Sequence, residues 1–329
     1  MRFLVIGLGS MGKRRIRCLK KLGYNDIIGF DIRKDRLNEA QNLYNIKATD
    51  EIEKIDNIDA VIVSTPPDKH KEYVLWAVRQ NIPVFVEASV ILEHSKEIKQ
   101  HLIKNKLRED LIYPSCTLKF HPVIRDIKKL INSEEWGNFL NFSYHSGQYL
   151  PDWHPWESIL DFYVSKKETG GAREIVPFEL TWLCDIFGYP EDIVGFFGKT
   201  INLGCDIDDT YSIIIKFKHG FGTLLVDVVS RYATRNIIIN LEYAQITWNW
   251  NENFFKLYDA RNKRFITFYQ TVGETMVGYN KNIIEDMYLE EIEYFIKAIK
   301  GEESFPNTLE DDIKILELLY IVEKSNIEE

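Results

Sequence analysis

The sequence predicts an α/β protein with a doubly wound parallel sheet at its N-terminal end and a second, α+β domain with an open, mostly antiparallel sheet. Two observations predict this division. Over the first hundred residues, short apolar runs alternate with amphipathic segments. Beyond about residue 118, apolar runs follow one another with short breaks at Gly, Asn and Asp. We therefore expect two domains, residues 1–118 and 119–329, as the length of 329 residues also suggests.

The first domain is predicted from its strand and helix signals in order. "RFLVIG" (Arg2–Gly7) is a continuous apolar run, typical of a strand buried on both faces. A helix follows, with Ile16, Leu19 and Leu22 on one stripe and Gly23 as its stop signal. The alternation continues through the strands "DIIGFD", "DAVIVST", "IPVFVEA" and "DLIYPSC", with a helical segment between successive strands. Such βαβ units imply right-handed crossovers and a parallel sheet covered on both faces.

The second domain is predicted from six strand-like segments and three helical ones. The strands are "FLNFSYHSG", "IVGFFGKT", "TYSIIIKFK", "GTLLVDVVS", "NIIINLEY" and "AQITWNW", and the helices are "HPVIRDIKKLI", "VPFELTWLCDIF" and "MYLEEIEYFIKAIK". Their short connections favour an antiparallel sheet. A last helix, 308–325, starts with Thr308 and Asp311 in a capping arrangement, and we expect it to pack back on the first domain.

Composition and charge restrict the class of protein. The net charge of −9 argues against nucleic acid as a partner. No apolar stretch approaches the roughly 18 residues that span a membrane, and the N-terminus lacks the pattern of a signal peptide, so we expect a cytoplasmic protein. Four cysteines are widely scattered, which predicts reduced thiols and neither a metal site nor a disulfide framework.

A glycine motif between the first strand and the first helix predicts a dinucleotide site. Gly7, Gly9 and Gly12 form G-x-G-x-x-G, and Asp31 ends the second strand 19 residues after Gly12. The glycines permit a tight turn, close approach of a pyrophosphate and close packing of helix on strand, while the helix N-terminus favours phosphate. We expect the whole turn to contact the cofactor, including Leu8, Ser10 and Met11. The alternative is a glycine turn without a ligand.

Asp31 is expected to select the cofactor. Its carboxylate would accept hydrogen bonds from the ribose hydroxyls and repel a 2′-phosphate, which favours NAD over NADP. Arg33 is close enough in sequence to soften that preference. The basic residues that follow the glycines, Lys13, Arg14, Arg15 and Arg17, are interpreted as a solvated helix face, from which only Lys13 could reach a phosphate.

The ends of the third and fourth strands are predicted to line the ligand crevice, because ligands of such sheets bind at the carboxyl ends of strands. Ser64, Thr65 and Pro66 follow the third strand, and Glu87 follows the fourth. We expect these residues around the nicotinamide. His70 is included with them, although on its own it is more typical of a helix start than of a catalyst.

Five segments together resemble the glucose–fructose oxidoreductase and inositol dehydrogenase (Gfo/Idh/MocA) family: "GLGSMG", "STPPDKH", "VFVEAS", "LKFHP" and "FPNTLEDDIKILELLY". The resemblance extends over essentially the whole chain. It implies a Rossmann domain that binds NAD(P), hydride transfer to or from a ring or sugar hydroxyl, and a homodimer or homotetramer formed through the open sheet. The stretch 146–174 further resembles a bacterial branch linked to surface polysaccharides.

The chain departs from the family at its catalytic motifs. Glu87, Ala88 and Ser89 stand where the family has Glu-Lys-Pro, so the family's lysine is replaced by alanine. In the later motif Phe178 stands at the family's histidine and Thr181 at its final aspartate, with Glu174 at or next to the first aspartate. Any proton transfer therefore needs a substitute group.

Two segments offer such a substitute. "DWHPWE" places His154 between Asp152 and Glu157 among Trp153 and Trp156, and the alternative is a polar loop packed by aromatic rings.

After the double glycine Gly170–Gly171, Glu174 could act as a base and Arg173 as an anion clamp, and the alternative is a surface ion pair. Lys119 and His121 are expected to line the cleft, unless His121 is only a helix-entry residue.

The leading hypothesis is an NAD-dependent oxidoreductase that acts on a sugar, sugar acid or nucleotide-linked sugar in surface-glycan biosynthesis. The alternatives are a catalytically silent NAD- or sugar-binding regulator or scaffold, and a lyase or epimerase that uses NAD transiently. No nucleophile elbow and no clustered metal ligands are visible in the sequence. The expected partners are a small sugar-like molecule and further copies of the chain, without nucleic acid or membrane.

Overall fold

The computed structural model describes residues 1–154, 157–270 and 284–325. The chain divides into two compact units, each made of two stretches of sequence. The first unit comprises Met1–Thr117 and Asp286–Leu316, and the second comprises Leu118–Glu285 and Glu317–Glu329. The last helix therefore begins in one unit and ends in the other.

The first 117 residues form six strands and four α-helices. In chain order these are β1 (Phe3–Ile6), α1 (Ser10–Lys21), β2 (Ile27–Phe30), α2 (Lys34–Tyr44), β3 (Lys47–Thr49), β4 (Ala60–Val63), α3 (His70–Arg79), β5 (Val84–Val86), α4 (Leu92–Asn105) and β6 (Ile112–Pro114). The strands pair in the order β3-β2-β1-β4-β5-β6, and every pair is parallel. The predicted doubly wound sheet is confirmed.

Differences in burial explain which strands could be predicted from the sequence. All residues of β1 and β4 are buried, so both read as continuous apolar runs. The edge strand β3 was not predicted, because it has three residues of which one is exposed and none is fully buried.

Two C-terminal helices contribute to the first unit. These are α7 (Glu285–Ile299) and the first half of α8 (Leu309–Ser325). The helices α5 and α6 belong to the second unit. Phe295 of α7 packs its ring 5.6 Å from the ring of Phe85 on β5. The predicted cap of α8 is present, because the Asp311 amide donates to Thr308 Oγ1 while the Asp311 carboxylate accepts from the Thr308 amide, both at 3.1 Å.

The second unit, within its described residues, contains two further α-helices, the second half of α8 and an eight-stranded sheet. Its elements are α5 (Pro122–Asn132), β7 (Phe139–Tyr149), α6 (Ala172–Phe187), β8 (Asp192–Gly198), β9 (Thr210–Lys216), β10 (Phe221–Asp227), β11 (Val229–Leu241), β12 (Ala244–Asn249), β13 (Phe254–Asp259) and β14 (Arg264–Tyr269). The strand order is β14-β13-β12-β11-β7-β10-β9-β8. Only the β7–β10 pair is parallel among these strands, which confirms the prediction of a mostly antiparallel sheet.

The two faces of this second sheet differ in burial. Along β9, Tyr211, Ile213 and Ile215 are buried on the face against which α6 packs, whereas Ile214 is 56% exposed. Ile214 pairs across the sheet with Val194 of β8, which is also exposed, so the second face presents apolar side chains to solvent. Within the described ranges, no helix is long and apolar enough to cross a membrane.

Candidate functional site

The turn after β1 has the geometry that a dinucleotide requires. Gly7 has φ +89°, and a Cβ atom at Gly12 would lie 1.8 Å from the Gly7 carbonyl oxygen, so neither position accepts a side chain. A Cβ at Gly9 would meet only the Arg36 side chain, at 3.4 Å. The backbone of Gly9 is therefore open to a ligand that displaces one flexible side chain. Leu8 is buried, while Ser10 and Met11 open α1 beside the turn.

Asp31 holds this turn through its buried carboxylate. Oδ2 accepts from the Leu8 amide at 2.7 Å, and Oδ1 accepts from the Arg33 amide at 2.9 Å. Each carboxylate oxygen has a further lone pair, so these bonds leave capacity for ribose hydroxyls. The guanidinium of Arg36 lies 3.8 Å from the same carboxylate. The sequence pointed to Arg33 as the cation near this site, but the side chain of Arg33 binds Asp35 and lowers the pKa of that carboxyl to about 2.

The prediction of a solvated basic face on α1 is wrong for two of its residues. Arg14 is 3% exposed and Arg15 is fully buried. The Arg14 guanidinium lies 4.3 Å from the ring centre of Tyr288 on α7. Lys13 forms an ion pair with Glu39 at 2.6 Å. Sequence periodicity could not reveal this, because the partners of the arginines lie far along the chain.

Arg15 joins two carboxylates inside the first unit. It binds Glu87 in a bidentate way, at 2.7 and 2.8 Å, and donates to Glu291 of α7 at 2.8 Å. Burial alone would lower the pKa of Arg15, but the two carboxylates outweigh it and raise the pKa. Ser64 also donates to Glu87, at 3.1 Å. Glu87 thus anchors α1 to the ends of β4 and β5, and its expected place beside the nicotinamide stays a prediction.

Glu291 extends this network to the end of β6. Its carboxylate accepts from the hydroxyls of Ser115 and Thr117, at 2.9 and 2.8 Å, and from the Cys116 amide at 2.6 Å. Burial raises the pKa of Glu291, and Arg15 opposes that shift. The network fixes three adjacent strand ends at one edge of the sheet, where ligands of doubly wound folds bind.

His70 holds the turn that follows β4. Its Nε2 lies 2.8 Å from the Thr65 carbonyl oxygen, and the imidazole is 4% exposed. Burial lowers the pKa of His70. The structure therefore places His70 beneath the turn that contains Thr65 and Pro66 and supports its backbone, and a direct contact of His70 with a cofactor stays a prediction.

Glu174 lies in the first turn of α6, which the double glycine starts. Gly171 has φ +66°, and a Cβ at Gly170 would lie 2.0 Å from the Val164 carbonyl oxygen. Glu174 Oε1 accepts a hydrogen bond from the Tyr163 hydroxyl at 2.6 Å, while Oε2 is buried and has no hydrogen-bond partner among the described residues. Burial raises the pKa of Glu174 to about 7, and the Tyr163 bond opposes the shift. A carboxyl group with this pKa can accept or release a proton near neutral pH.

His154 lies on the segment that precedes Tyr163. Its Nδ1 is 2.7 Å from Glu157 Oε1, and its ring stacks on Phe162 at 4.9 Å. Phe162 and Tyr163 are adjacent, so one segment connects His154 and Glu174. Trp156, the second tryptophan of the segment "DWHPWE", is outside the described residues, as is Pro155.

Arg173 is engaged by the C-terminal helix. Its guanidinium binds Glu323 of α8 at 2.6 and 3.1 Å, donates to the Glu168 carbonyl at 2.7 Å, and lies 5.2 Å from the ring centre of Tyr320. The side chain is 9% exposed. The predicted anion-clamp role stays untested, and we do not assign Arg173 a catalytic part because its donors are used within the second unit.

The structure also places Phe178 and Thr181, which the resemblance sets at the family's histidine and final aspartate. Phe178 is partly exposed one turn after Glu174 on α6, and the Thr181 hydroxyl donates to the Pro177 carbonyl at 2.7 Å.

His121 precedes α5 as its cap residue and packs 4.6 Å from the ring of Trp250. Burial, with a contribution from Arg235, lowers the pKa of His121 to about 3, so this residue is a neutral core group.

Glu179 is a fully buried carboxylate on α6. It accepts from Tyr144, Ser146, Trp182 and Arg235 at 2.7 to 2.9 Å. Four donors satisfy its charge, so it stabilises the packing of α6 on the sheet. Across the described parts of the chain, the cysteines are free and no group of His, Cys, Asp or Glu could hold a metal ion.

Comparison with known proteins agrees with this architecture. Residues 1–109 match the model of the Gfo/Idh/MocA oxidoreductase family, with an NAD-binding Rossmann fold. Myo-inositol 2-dehydrogenase of Thermotoga maritima is 25% identical over 356 aligned positions, which cover 100% of this chain and 97% of the relative. The family match covers the first 109 residues, and the similarity to this relative extends over the whole chain.

Solved structures show the same fold over the full length. Levoglucosan dehydrogenase in complex with NADH has a TM-score of 0.84 at 16% identity, covering 100% of this chain and 97% of the other. An oxidoreductase from Agrobacterium radiobacter in complex with NAD+, L-tartaric acid and magnesium also has a TM-score of 0.84, at 13% identity and coverages of 100% and 96%.

Proposed function

We propose that the chain is an oxidoreductase of the Gfo/Idh/MocA type and that it transfers a hydride between NAD and a hydroxyl-bearing carbon. The substrate class is a sugar, sugar acid or nucleotide-linked sugar, as the sugar and inositol dehydrogenases among its relatives suggest. The role in surface-glycan biosynthesis rests on the resemblance of the stretch 146–174 alone. The observation that carries the proposal is the turn Gly7–Gly12, in which Gly7 and Gly12 accept no side chain and the backbone of Gly9 stays open where a pyrophosphate would approach.

The proposed cofactor site is built from the turn and Asp31. The amides at the start of α1 would bind the pyrophosphate, and Asp31 would bind the ribose of the adenosine. The charge of Asp31 disfavours a 2′-phosphate, so NAD is the preferred cofactor. Arg36, which lies against both Gly9 and Asp31, would weaken that preference by offsetting the charge.

The proposed proton acceptor is Glu174. When bound, NAD supplies the acceptor for the hydride that leaves the hydroxyl-bearing carbon. As the C–H electron pair leaves, the O–H bond breaks, its electron pair forms the new carbonyl bond, and the proton passes to the Glu174 carboxylate. The Tyr163 hydroxyl orients that carboxylate through its 2.6 Å hydrogen bond. A positioned base of this kind is worth about 10²–10⁴-fold in rate. His154 is the second candidate for this role.

A protein that binds NAD without net turnover is the second candidate function. The observation that favours it is the pair of departures at Ala88 and Phe178, which remove the family's lysine and histidine. Such a protein would be a regulator or scaffold, or a lyase or epimerase that uses NAD transiently. It would bind NADH but would not convert NAD to NADH with any sugar.

The proposal is tested by titrating the purified protein with NADH and NADPH while nicotinamide fluorescence is followed. We expect micromolar binding of NADH and weaker binding of NADPH. Gly9→Ala is the matched probe, because its Cβ is tolerated by the fold but occupies the space of the approaching phosphates. It should weaken binding at least tenfold with an unchanged melting temperature.

The control is Gly198→Ala, since a Cβ there meets nothing within 4 Å. It should bind NADH as the unmodified protein does. No binding of either dinucleotide, or equal binding by the two variants, would exclude the proposed cofactor site. NADH binding without oxidation or reduction of any sugar or sugar acid would favour the second candidate.

A further inference from the structure

A small polar cavity lies inside the first unit, among α3, α4, β5, β6 and α8. Its free volume is close to that of about one water molecule. Most of the lining is apolar, but His70, Ser89, His94, Ser95 and Asp312 also contribute to it. An apolar cavity of this size would stay dry, whereas several polar groups around one opening favour a bound water.

His70, which lines this cavity, has a buried hydrogen-bond acceptor. Its Nε2 contacts the Thr65 carbonyl oxygen, which can only accept, so Nε2 carries the hydrogen of the neutral ring. Nδ1 is then a bare acceptor. It is buried and has no partner among the described residues. Buried acceptors are almost always hydrogen-bonded, so a donor is required at this position.

His94 and Asp312 are the other two cavity residues that could bind a water molecule. Nδ1 of His94 is also buried without a partner in the described parts of the chain, and burial lowers the pKa of His94. The Ser95 hydroxyl donates to Asp312 at 3.2 Å and is therefore not available to the histidines. Asp312 is 9% exposed, and burial raises its pKa to about 7. One water molecule has two donors and can accept a further bond, which matches two ring nitrogens and one protonated carboxyl.

We propose that a single water molecule occupies this cavity, donates to His70 and His94, accepts from Asp312, and thereby couples the ionisation of Asp312 to the Thr65–Pro67 turn. When Asp312 loses its proton, the carboxylate becomes an acceptor and draws one of the two donors away from a histidine. His70 then loses the partner that fixes its ring orientation, and its support of the Thr65 carbonyl weakens. Because Thr65 and Pro66 are expected to lie around the nicotinamide of the proposed cofactor, the consequence for affinity rests on that proposed function.

Other charged groups surround the cluster and stay in place in every variant of the test. They are Asp68 before α3, Lys71 on α3, Glu87 after β5, Glu93 and Glu97 on α4, and Asp311 beside Asp312 on α8. A change confined to Asp312 therefore isolates its own ionisation.

The first measurement uses the protein without cofactor. Nitrogen-15 spectra of the histidine rings should show His70 neutral, with hydrogen on Nε2 and a hydrogen-bonded Nδ1. The His70 and Thr65 signals should shift between pH 6 and pH 8.5 in the unmodified protein and stay constant in Asp312→Asn, which keeps the shape but does not ionise. Glu310 is a half-exposed acid on the same helix that pairs with Lys99 of α4, so Glu310→Gln is the matched control and should behave as the unmodified protein.

The second measurement is NADH affinity over the same pH range. We expect the dissociation constant to rise about threefold to tenfold as the pH passes 7, and Asp312→Asn to keep the low-pH affinity throughout. An identical pH profile in Asp312→Asn and the unmodified protein, in either measurement, would overturn the proposal. Failure of all proteins to bind NADH would contradict the proposed function, while the ring spectra would still decide between coupling and its absence.

Discussion

Glu174 is the residue on which the proposed proton transfer depends, and its environment defines when it can act. Burial raises the pKa of this carboxyl to about 7, so it is mostly protonated in mildly acidic solution and mostly ionised above pH 8. A base must be ionised to accept a proton. The rate of substrate oxidation should therefore rise as the pH increases through 7.

Glu174→Gln should lower the oxidation rate by about 10²–10⁴-fold and remove this rise. The same variant should also change the pH dependence of the free energy of unfolding. Folding raises the pKa of Glu174 from about 4.5 to about 7, so the carboxyl contributes stability below pH 4.5, and this contribution is lost as the pH rises to 7. Glu174→Gln should thus be more stable than the unmodified protein at pH 8, by urea unfolding. Glu168 is an exposed acid in the same segment, so Glu168→Gln is the control. If Glu174→Gln kept the full oxidation rate, the proton acceptor would be His154 instead.

Single residues also show where sequence analysis succeeds and where it fails. The glycine turn and Asp31 could be predicted because their constraints are local: the backbone at Gly7, the contact of Gly12 with Gly7, and an acid at the end of the next strand. Arg15 could not be placed, because its partner Glu291 is 276 positions away and a charged residue on a helix is ordinarily solvated.

At the scale of elements, α6 begins four residues earlier than predicted. Pro177 favours a helix start, since proline is common at the first helical position, so the sequence predicts a helix from Val176. The helix instead begins at Ala172, and Pro177 lies inside it. The double glycine explains the earlier start, because Gly171 adopts φ +66° and turns the chain directly into the helix.

Gly171→Ala should therefore destabilise the protein strongly. A Cβ at this position would lie 2.6 Å from the Asp208 carbonyl oxygen, in addition to the cost of a left-handed backbone. Gly188→Ala at the other end of α6 is the matched control, because it has φ +85° but nothing within 4 Å of a Cβ. We expect the control to cost about 1 kcal/mol and Gly171→Ala about 2 kcal/mol more, by urea unfolding. Equal losses would show that the close contact relaxes at little cost.

At the scale of the whole molecule, the exposed face of the second sheet indicates association. Phe196, Ile214 and Phe221 are 74%, 56% and 57% exposed, and they belong to three neighbouring strands. Exposed apolar side chains on one face of neighbouring strands are typical of an interface. We propose that copies of the chain associate through it as a homodimer or homotetramer, as the family resemblance implies.

Light scattering after gel filtration tests this proposal. The unmodified protein should have two or four times the mass of the 38.7 kDa chain, and the double variant Phe196→Asp, Ile214→Asp should be monomeric. Ile103→Asp, which adds a charge at an exposed apolar residue of α4, should keep the original mass. A monomeric unmodified protein, or a double variant of unchanged mass, would contradict the proposed interface.

The ion pair between Arg15 and Glu291 also has a consequence for the order of synthesis. A ribosome makes the chain from its N-terminus, so all six strands of the first sheet exist before α7 is translated. During that interval Arg15 has Glu87 but lacks its second carboxylate, and the hydroxyls and amide at the end of β6 lack the acceptor that Glu291 provides. The first unit can complete its folding only after α7 has left the ribosome, so a prematurely terminated chain would expose an unfinished interior to chaperones and proteases.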